Sequence, residues 1–441
     1  EWKYYIQPAE QSEDVQNQLN DLIQKRIAED GIQINPESIT VLDPACGSGH
    51  ILVEAYDCLK AMYLERGYSS REIPRLILEK NLYGIDIDER AAQLASFALL
   101  MKAREDDRRL LRNPPKLNII ALQETGDLDV NRLWADLNLN QAWKTGHNED
   151  LFGSQTQDLG SAANDARFKC LQDALSKFEH AKTFGSLICM DASEKPYAEL
   201  KTELEQLLET GDTLQKGAIK KLLPLLNQAI FLAKQYDAVI ANPPYMGSKG
   251  MNSVLKAFAK DYFPGSKSDL FAMFIERGFE WCKESGFNSM VTMQSWMFLS
   301  SYETMREKLL TNRTLSNMVH MGNGVMGIAF GTAATIFYNH HLNNYEGSFS
   351  YCENDDLNER GVPKTFPVPN NRLKNAKPDD FKKIPGSPIA YWVSAKVVLA
   401  FDNGTLLGKI SIPRQGNTTT NNGKFVRDWY EVDFYKLGIG F

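Results

Sequence analysis

The sequence predicts an α/β fold with a doubly wound, mostly parallel sheet. Two observations lead to this prediction. From Ser38 onward, short apolar runs alternate with segments of helical periodicity, which is the order of strands and crossover helices in a parallel sheet. The first apolar run leads into a glycine-rich turn and the second ends in acidic residues, a combination that indicates a sheet built for a nucleotide-like ligand.

The first half of the sheet is predicted from residues 39–122. His50–Arg66 follows the glycine-rich turn and carries apolar residues at the spacing of one buried helical face. A second helical pattern, Ala91–Arg104, separates the second and third apolar runs. The predicted strands are Ile39–Leu42, Leu82–Ile85 and Leu117–Leu122.

A helical insertion of about residues 125–234 is predicted between the third and fourth strands. Its second half, Glu194–Lys234, is rich in Leu, Lys and Glu at helical spacing, and we expect the leucine face to pack on the domain rather than to bind a partner. The sheet resumes after the insertion. The remaining predicted strands are Tyr236–Ile240, Asn288–Met293, Leu315–Met321 and Thr332–Tyr338, with helices at Leu270–Cys282 and Tyr302–Leu310.

The composition changes after Asn339, where Asn, Asp, Pro, Lys and Gly become frequent. Prolines interrupt long regular elements. We therefore expect one domain at residues 1–345 and a connector leading into a further region at residues 346–441. Because the chain begins at Glu1 rather than methionine and ends soon after a basic, polar stretch, we expect it to be part of a longer protein.

The composition is that of an ordinary soluble globular protein, with 43% apolar and 24% charged residues. We find no apolar run that predicts a membrane span and no secretory signal. The six cysteines form no C-x-x-C pair, which favours a reducing cytoplasm, and with only six histidines we expect no metal site. A net charge of −7 excludes a chain coated with phosphate-binding surface, so any contact with nucleic acid must be local.

The first motif that points to chemistry runs from Asp43 to Gly49, D-P-A-C-G-S-G, where the first strand meets the first helix. Its glycines let the backbone turn tightly and approach a ligand closely. A glycine-rich connector without a ligand is the alternative interpretation. A phosphate-binding P-loop is excluded, because no G-K-[ST] follows.

The second motif, G-I-D-I-D, ends the second strand with Asp86 and Asp88. The ends of the first two strands are adjacent in such a sheet, and a carboxylate at this position takes ribose hydroxyls, so we predict that Asp86 binds ribose. A dehydrogenase places an acid similarly, but it usually carries G-x-G-x-x-G, whereas here Gly49 is followed by H-I-L. Asp88 is equally well explained as the N-cap of the next helix.

The third motif, Asn242-Pro243-Pro244-Tyr245, follows a hydrophobic strand, and its prolines fix the shape of the turn. The lone pair of an arylamine is delocalised into its ring, so hydrogen-bond acceptors must hold the amine before it can attack an electrophilic methyl group. The Asn242 side-chain oxygen and the Pro243 carbonyl can accept its two N–H bonds, while Tyr245 stacks on the base. Taken alone, the motif is also compatible with a rigid loop and a packed tyrosine.

The three motifs together, in this order, resemble the cofactor, ribose and catalytic motifs of amino-methyltransferases. The order is similar to that of the gamma class of DNA adenine methyltransferases. The resemblance is closer still to the PglX-type adenine methyltransferases of bacteriophage-exclusion (BREX) systems, and it spans most of the chain. The segments that carry it are residues 43–57, 81–109, 242–247, 383–392 and 416–432.

This resemblance implies a Rossmann-like fold of the class I methyltransferases that depend on S-adenosylmethionine. It implies N6 methylation of a flipped adenine in double-stranded DNA, with Asn242, Pro243, Pro244 and Tyr245 as the catalytic floor. It further implies other phage-exclusion proteins as partners and a carboxyl-terminal target-recognition region that begins within residues 346–441. The cofactor-binding residues that it implies are Asp43, Ala45, Cys46, Gly47, Gly49, His50, Asp86 and Ile87.

Four further positions are predicted, each with a structural alternative. Glu124 resembles the acid that binds near the cofactor adenine, and is otherwise an exposed acid at a helix start. Phe330 is predicted to bracket the flipped base, and is otherwise a core phenylalanine before a strand. Arg414 and Lys424 lie in a polar loop able to contact DNA phosphates or base edges, and otherwise belong to a solvated linker.

Two other functions stay open at this point. A protein-glutamine or RNA N-methyltransferase solves the same chemical problem with N-P-P-Y, although a compact protein methyltransferase has no need of the helical insertion. The other alternative is a module that binds S-adenosylmethionine as a structural ligand and senses phage DNA or a partner protein. The intact N-P-P-Y motif counts against that module.

Overall fold

One sheet organises the larger part of the chain. The computed structural model describes residues 2–139, 164–405 and 407–411. The sheet belongs to the larger of two compact units, Glu1–Val393. Its described strands are β1 (Val41–Asp43), β2 (Leu82–Asp86), β3 (Asn118–Ala121), β4 (Tyr236–Ala241), β5 (Cys282–Met293), β6 (Thr314–Met321), β7 (Thr332–Tyr338), β8 (Gly347–Cys352) and β9 (Lys374–Ala376).

The strands are arranged in the order β3-β2-β1-β4-β5-β7-β6-β8-β9. The five strands from β3 to β5 run parallel to one another, and β8 is parallel to β6. β7 lies antiparallel between β5 and β6, and β9 is antiparallel to β8. The predicted doubly wound, mostly parallel sheet is therefore confirmed. Its order reverses between β1 and β4, which is where such sheets bind ligands.

Helices pack on both faces of this sheet. Val41 and Leu42 of β1 belong to two different buried clusters, because successive residues of a strand point to opposite faces. Both faces of the parallel strands are therefore covered. The described helices of this unit are α1 (Glu13–Asp30), α2 (His50–Glu65), α3 (Ile73–Leu76), α4 (Glu89–Asp106), α5 (Val130–Leu137), α6 (Ala166–Lys177), α7 (Ala181–Phe184), α8 (Glu194–Thr210), α9 (Thr213–Ala233), α10 (Ser253–Tyr262), α11 (Leu270–Trp281), α12 (Glu303–Asn312) and α13 (Pro378–Phe381).

The predicted strands and helices form with shifted ends. The clearest shift is in β5, which begins at Cys282, although the sequence predicted Asn288. Cys282 pairs with Tyr236 at the start of β4, and the register then shifts before Phe287. The Lys, Glu, Ser and Gly of this stretch hide the strand in the sequence, because they lack the apolar alternation of a half-buried strand.

The sheet continues beyond residue 345. β8 and β9 extend it past β6, and Phe349 of β8 is buried against Tyr391, with the ring centroids 4.9 Å apart. The boundary predicted at residue 345 therefore falls inside this unit, which extends to Val393. Of the prolines after residue 352, Pro378 begins α13 and the others in this unit lie in connections, so they do not end the unit.

Helices α5 to α9 lie between β3 and β4 in the chain, where the helical insertion was predicted. Leu200 and Leu204 of α8 are buried in the same cluster as Leu42 of β1, and Leu207 and Leu208 pack against that cluster. The leucine face of the insertion therefore packs on the sheet domain.

The described residues also bear on membranes and metals. No helix in this part of the chain combines the length and the apolar character needed to cross a bilayer. Nor do three or more His, Cys, Asp or Glu side chains come together there in an arrangement that could hold a metal ion. The six cysteines are free thiols.

The second compact unit is Ser394–Phe441. Its described residues form α14 (Ala395–Asn403) and α15 (Leu407–Ile410). Arg414 and Lys424, the two basic residues predicted to contact DNA, lie outside the described residues.

Candidate active site

Three loops that follow parallel strands meet at one edge of the sheet. The glycine-rich turn follows β1, Asp86 ends β2, and the Asn242-Tyr245 loop follows β4. Because β1 lies between β2 and β4, the carboxyl ends of these three strands are neighbours. The fold therefore brings together three motifs that are far apart in the sequence.

The glycine-rich turn holds two residues in the left-handed region of the backbone. The φ angle is +51° at Gly47 and +84° at Gly49, where any other residue would be strained. A Cβ at Gly49 would lie 3.0 Å from Ala95 of α4, whereas a Cβ at Gly47 would meet no atom within 4 Å. Gly49 thus lets α2 start close against α4, and Gly47 leaves open space where a ligand can approach the backbone.

The Asp86 carboxylate fastens this turn to the end of β2. Its Oδ2 accepts a hydrogen bond from the Gly47 N–H (2.8 Å), and its Oδ1 accepts one from the Asp88 N–H (2.9 Å). A carboxylate offers about four lone-pair sites, so Asp86 retains capacity for ligand hydroxyls. Asp88 caps α4, because its side chain accepts from the Arg90 N–H.

Asp43 lies beneath the turn. Its side chain accepts a hydrogen bond from the Ala45 N–H (3.1 Å), and the residue is only 1% exposed. Burial, reinforced by the negative charge of Asp86, raises the pKa of Asp43 to about 7. In this conformation Asp43 therefore supports the turn from inside the protein.

Replacing Asp43 by asparagine is expected to stabilise the protein increasingly as the pH rises. The pKa of Asp43 is raised in the folded state, so ionisation costs stability between about pH 4 and pH 7, and the full cost persists above pH 7. Asparagine keeps an oxygen that can accept from Ala45 but carries no charge. The variant's gain in unfolding free energy over the wild type should grow by on the order of 4 kcal/mol from pH 4 to pH 8. Denaturant titrations at several pH values measure this gain, and a gain independent of pH would contradict the buried ionisation.

The other predicted cofactor residues surround the same turn. Ala45 is half-buried, and Cys46 is buried with its N–H bonded to the Ile85 carbonyl of β2 (3.0 Å). His50 is exposed at the start of α2. Ile87 is 47% exposed directly after β2, so it offers an apolar surface at the rim of the turn.

Glu124 lies exposed in the loop that follows β3. Its Oε1 accepts from the backbone N–H of Lys182 in α7 (3.3 Å). This hydrogen bond joins the loop after β3 to α7 of the helical insertion. The second carboxylate oxygen of Glu124 accepts no hydrogen bond from the described residues.

The helical insertion also reaches the glycine-rich turn, which the sequence did not predict. The Ser186 hydroxyl donates to the Pro44 carbonyl (2.6 Å), and both groups are buried. A Cβ at Gly185 would lie 3.3 Å from the Ile87 side chain. An isolated Gly-Ser between helical patterns was the only sign of this contact in the sequence.

The Asn242-Tyr245 loop presents polar groups at the end of β4. Asn242 and Pro244 are exposed, Pro243 is buried and Tyr245 is half-buried. The Tyr245 hydroxyl shares its hydrogen between Asn242 Oδ1 (3.2 Å) and the Val291 carbonyl (3.1 Å). Burial raises the pKa of Tyr245 to about 12, so the hydroxyl stays protonated at neutral pH and continues to donate.

Asp269 holds the residues that follow this loop. Its Oδ1 accepts from the Met246 N–H (2.9 Å) and from the Phe271 N–H (3.3 Å), the second bond capping α11. The Leu270 N–H donates to the Met246 carbonyl (3.1 Å), and Gly247 forms an antiparallel bridge with Asp269. These bonds tie the loop to the start of a buried helix.

Phe330 lies next to Tyr245 at the same edge of the sheet. The ring centroids are 5.9 Å apart and the ring planes are inclined at 59°. Phe330 is 36% exposed, so it is not a core residue. A flat base between two ring faces needs about 7 Å, twice the carbon contact distance of about 3.5 Å. The two rings must therefore separate before a base could enter between them.

Two family models match the chain. The model of the Eco57I restriction-modification methylase matches residues 80–326, which include the Asn242-Tyr245 loop. The model of the MmeI DNA-methyltransferase domain matches residues 10–148, which include the glycine-rich turn and Asp86.

Similar proteins were also found among curated relatives and solved structures. The adenine-specific methyltransferase BrxX of Escherichia coli O9:H4 (strain HS) is 47% identical, and the adenine-specific methyltransferase PglX of Lacticaseibacillus casei (strain Zhang) is 35% identical, each over 99% of this chain. The chain spans 36% and 34% of the lengths of these relatives. A nuclease-deletion mutant of the Type ISP restriction-modification enzyme LlaGI, in complex with a DNA substrate mimic, matches 87% of this chain and 31% of its own, with 14% identity and a TM-score of 0.42.

The match to the Eco57I model shows to which family the chain belongs. This match, residues 80–326, covers more than half of the sequence and contains β2, β4 and the loop between β4 and α10. The chain belongs to the Eco57I restriction-modification methylase family.

Proposed function

We propose that this chain transfers a methyl group from S-adenosylmethionine to the N6 amine of adenine in double-stranded DNA. The observation that carries the proposal is the position of Asn242. Its exposed side chain follows β4, beside the strand β1 that leads into the glycine-rich turn. A methyl donor and an acceptor amine can then be held at neighbouring strand ends, as an inline transfer requires.

Asn242 and Pro243 would hold the amine. Their carbonyl oxygens accept its two N–H bonds, which localises the nitrogen lone pair for attack. Asn242 Oδ1 already accepts from the Tyr245 hydroxyl, but a carbonyl oxygen has two lone pairs and one is left for the amine. S-adenosylmethionine supplies an activated methyl group, so the main task of these residues is to position the amine.

The turn and the end of β2 fit this cofactor. Open space beside Gly47 allows close approach to the backbone, and Asp86 has acceptor capacity for the two ribose hydroxyls. Ile87 is exposed where an adenine ring can pack on it. In the same assignment, the turn that faces the cofactor is lined by Ala45, Cys46, Gly49 and His50. Asp43 supports this turn from inside the protein. Glu124 lies near the adenine of the cofactor.

The target adenine would leave the duplex to reach this site. A stacked base cannot approach the loop, so the nucleotide must flip out of the helix. Tyr245 and Phe330, which lie on one edge with ring centroids 5.9 Å apart, would separate and bracket the flipped base. Stacking of a base on an aromatic side chain contributes about 1–3 kcal/mol, which offsets part of the cost of unpairing.

Double-stranded DNA is proposed over RNA or protein on the basis of the relatives. BrxX and PglX are named adenine-specific methyltransferases, and the family model describes restriction-modification methylases. Their similarity over 99% of the chain also supports a role in a BREX phage-exclusion system, with the other proteins of that system as partners.

Methyl-labelled S-adenosylmethionine tests this proposal when it is incubated with the chain and, separately, with duplex DNA, RNA or protein. We expect label in the duplex, released as N6-methyladenine when the DNA is digested to nucleosides. A duplex whose adenines are already N6-methylated serves as the matched control and should take up no label. Label found in RNA, in protein glutamine or in cytosine, with none in adenine of DNA, would refute the assignment.

A further inference from the structure

The chain leaves the catalytic edge after the Asn242-Tyr245 loop and then returns to it. The Ser248 N–H donates to the Ser268 carbonyl (2.9 Å), and Gly247 forms a bridge with Asp269. Residues 248–268 therefore form an excursion whose two ends are fastened together next to the catalytic loop. We call these residues the return loop.

One side of the return loop packs on the cofactor side of the cleft. Leu255 and Ala259 of α10 are buried, and Phe258 stacks on Phe184 of α7 with ring centroids 4.2 Å apart. α7 leads directly into Ser186, which is bonded to the glycine-rich turn. The inner side of α10 is therefore fixed against the insertion, and its other side faces solvent.

The solvent side of the return loop is strongly basic. The loop contains four lysines and one aspartate, a net charge of +3 within a chain whose net charge is −7. All four lysines are exposed, and none has a carboxylate within 4.0 Å among the described residues. They are Lys249, Lys256, Lys260 and Lys267.

The positions of these lysines concentrate their charge. Lys256 and Lys260 are four residues apart on α10, so they lie on one face of the helix and repel each other. Lys249 and Lys267 each lie next to a residue of the Ser248-Ser268 hydrogen bond, so they flank the closure of the loop on both sides. Positive charges that lie close together repel one another and favour a polyanionic partner.

We propose that the return loop binds the phosphates of double-stranded DNA on either side of the flipped adenine, an inference that rests on the proposed methylation of DNA. Duplex DNA carries about one negative charge per 1.7 Å of axis, which matches a patch of exposed ammonium groups. The loop closes a few residues after Tyr245, so Lys249 and Lys267, which flank the closure, lie next to the proposed base-binding site. Tyr262, which is 65% exposed at the end of α10, adds an aromatic surface to the patch.

Fluorescence anisotropy with a labelled adenine-containing duplex tests this assignment across a series of salt concentrations. Two double variants of this chain, K256Q/K260Q and K249Q/K267Q, each remove two charges from the loop. Each lost phosphate contact lowers the slope of log K against log salt by about 0.9. We therefore expect each double variant to lower the slope by about 2 and to raise Kd at low salt by on the order of 10-fold, whatever the DNA sequence.

The matched control is K25Q/K116Q, which removes two exposed lysines at the opposite edge of the sheet, near the starts of β5 and β3. It should retain the wild-type slope. Unchanged thermal midpoints and unchanged affinity for S-adenosylmethionine show that the loop variants are folded. If the wild type binds and methylates duplex DNA but the loop variants bind it like the control, the return loop is not the phosphate site, although the proposed function stands. If the wild type does not bind duplex DNA in a salt-dependent way, this inference fails, and the separate labelling assay decides the proposed function.

Discussion

Replacing Asn242 by alanine is expected to lower the rate of methyl transfer by on the order of 10²- to 10³-fold, the effect of removing one positioned hydrogen-bonding group from a transition state. The variant removes the oxygen that accepts one N–H bond of the target amine, so the lone pair of the amine stays delocalised in the ring. Asn242 lies at the end of β4, whereas the proposed cofactor contacts lie at the ends of β1 and β2. Calorimetric titration should therefore give the wild-type affinity for S-adenosylmethionine.

Tyr245→Phe is the matched control for this variant. It removes the hydroxyl that donates to Asn242 Oδ1 and to the Val291 carbonyl but retains the ring that stacks on the base. We expect a smaller loss of rate, because Asn242 keeps its own oxygen and only its orientation is loosened. Near wild-type formation of N6-methyladenine by the Asn242→Ala variant would remove this residue from the catalytic assignment.

Replacing Asp86 by alanine is expected to weaken the binding of S-adenosylmethionine by on the order of 100-fold, because hydrogen bonds to a charged group contribute about 1.5–3 kcal/mol each. Two effects combine in this variant. The ribose hydroxyls lose their acceptor, and the Gly47 N–H loses the partner that holds the glycine-rich turn to β2. Calorimetry on the wild type and the variant measures the change in Kd directly.

Asp88→Ala separates these effects from a general loss of acidic charge. Asp88 lies two residues away and caps α4 through the Arg90 N–H, so its removal should slightly lower helix stability. Among the described residues, no hydrogen bond joins its side chain to the glycine-rich turn, and cofactor affinity should stay within about 3-fold of the wild type. Equal losses of affinity in the two variants would mean that Asp86 acts through the fold of this region and not as a ribose ligand.

The sequence alone predicted the architecture because its signals are local. Apolar runs, the helical spacing of His50–Arg66 and the glycine-rich turn each depend on residues close together in the chain. The three motifs were therefore assigned to the ends of the first, second and fourth predicted strands, and the structure shows that these ends are neighbours. The roles of the individual residues in binding and catalysis are still predictions.

These local signals did not predict β8 and β9, the two strands that follow β7 in the chain. β8 pairs with β6, which is not its neighbour along the chain, and its short sequence is rich in small and polar residues that lack the apolar alternation of a strand. The pairing of β8 with β6 and the burial of Phe349 against Tyr391 show that this stretch belongs to the same unit. A pattern of single residues cannot reveal a partner that lies elsewhere in the chain.

By itself, the sequence determined the α/β fold, the presence of a helical insertion, and the order of the glycine-rich, G-I-D-I-D and N-P-P-Y motifs. Tertiary structure alone decided that Ser186 of the insertion supports the glycine-rich turn and that Asp43 is buried under it. It also decided that the four lysines of the return loop are exposed, with no carboxylate within 4.0 Å in the part of the chain that the structure describes. The physical reason is the same in each case. Periodicity reports which face of an element is apolar, but burial, pKa and charge pairing depend on distant residues that approach only when the chain has folded.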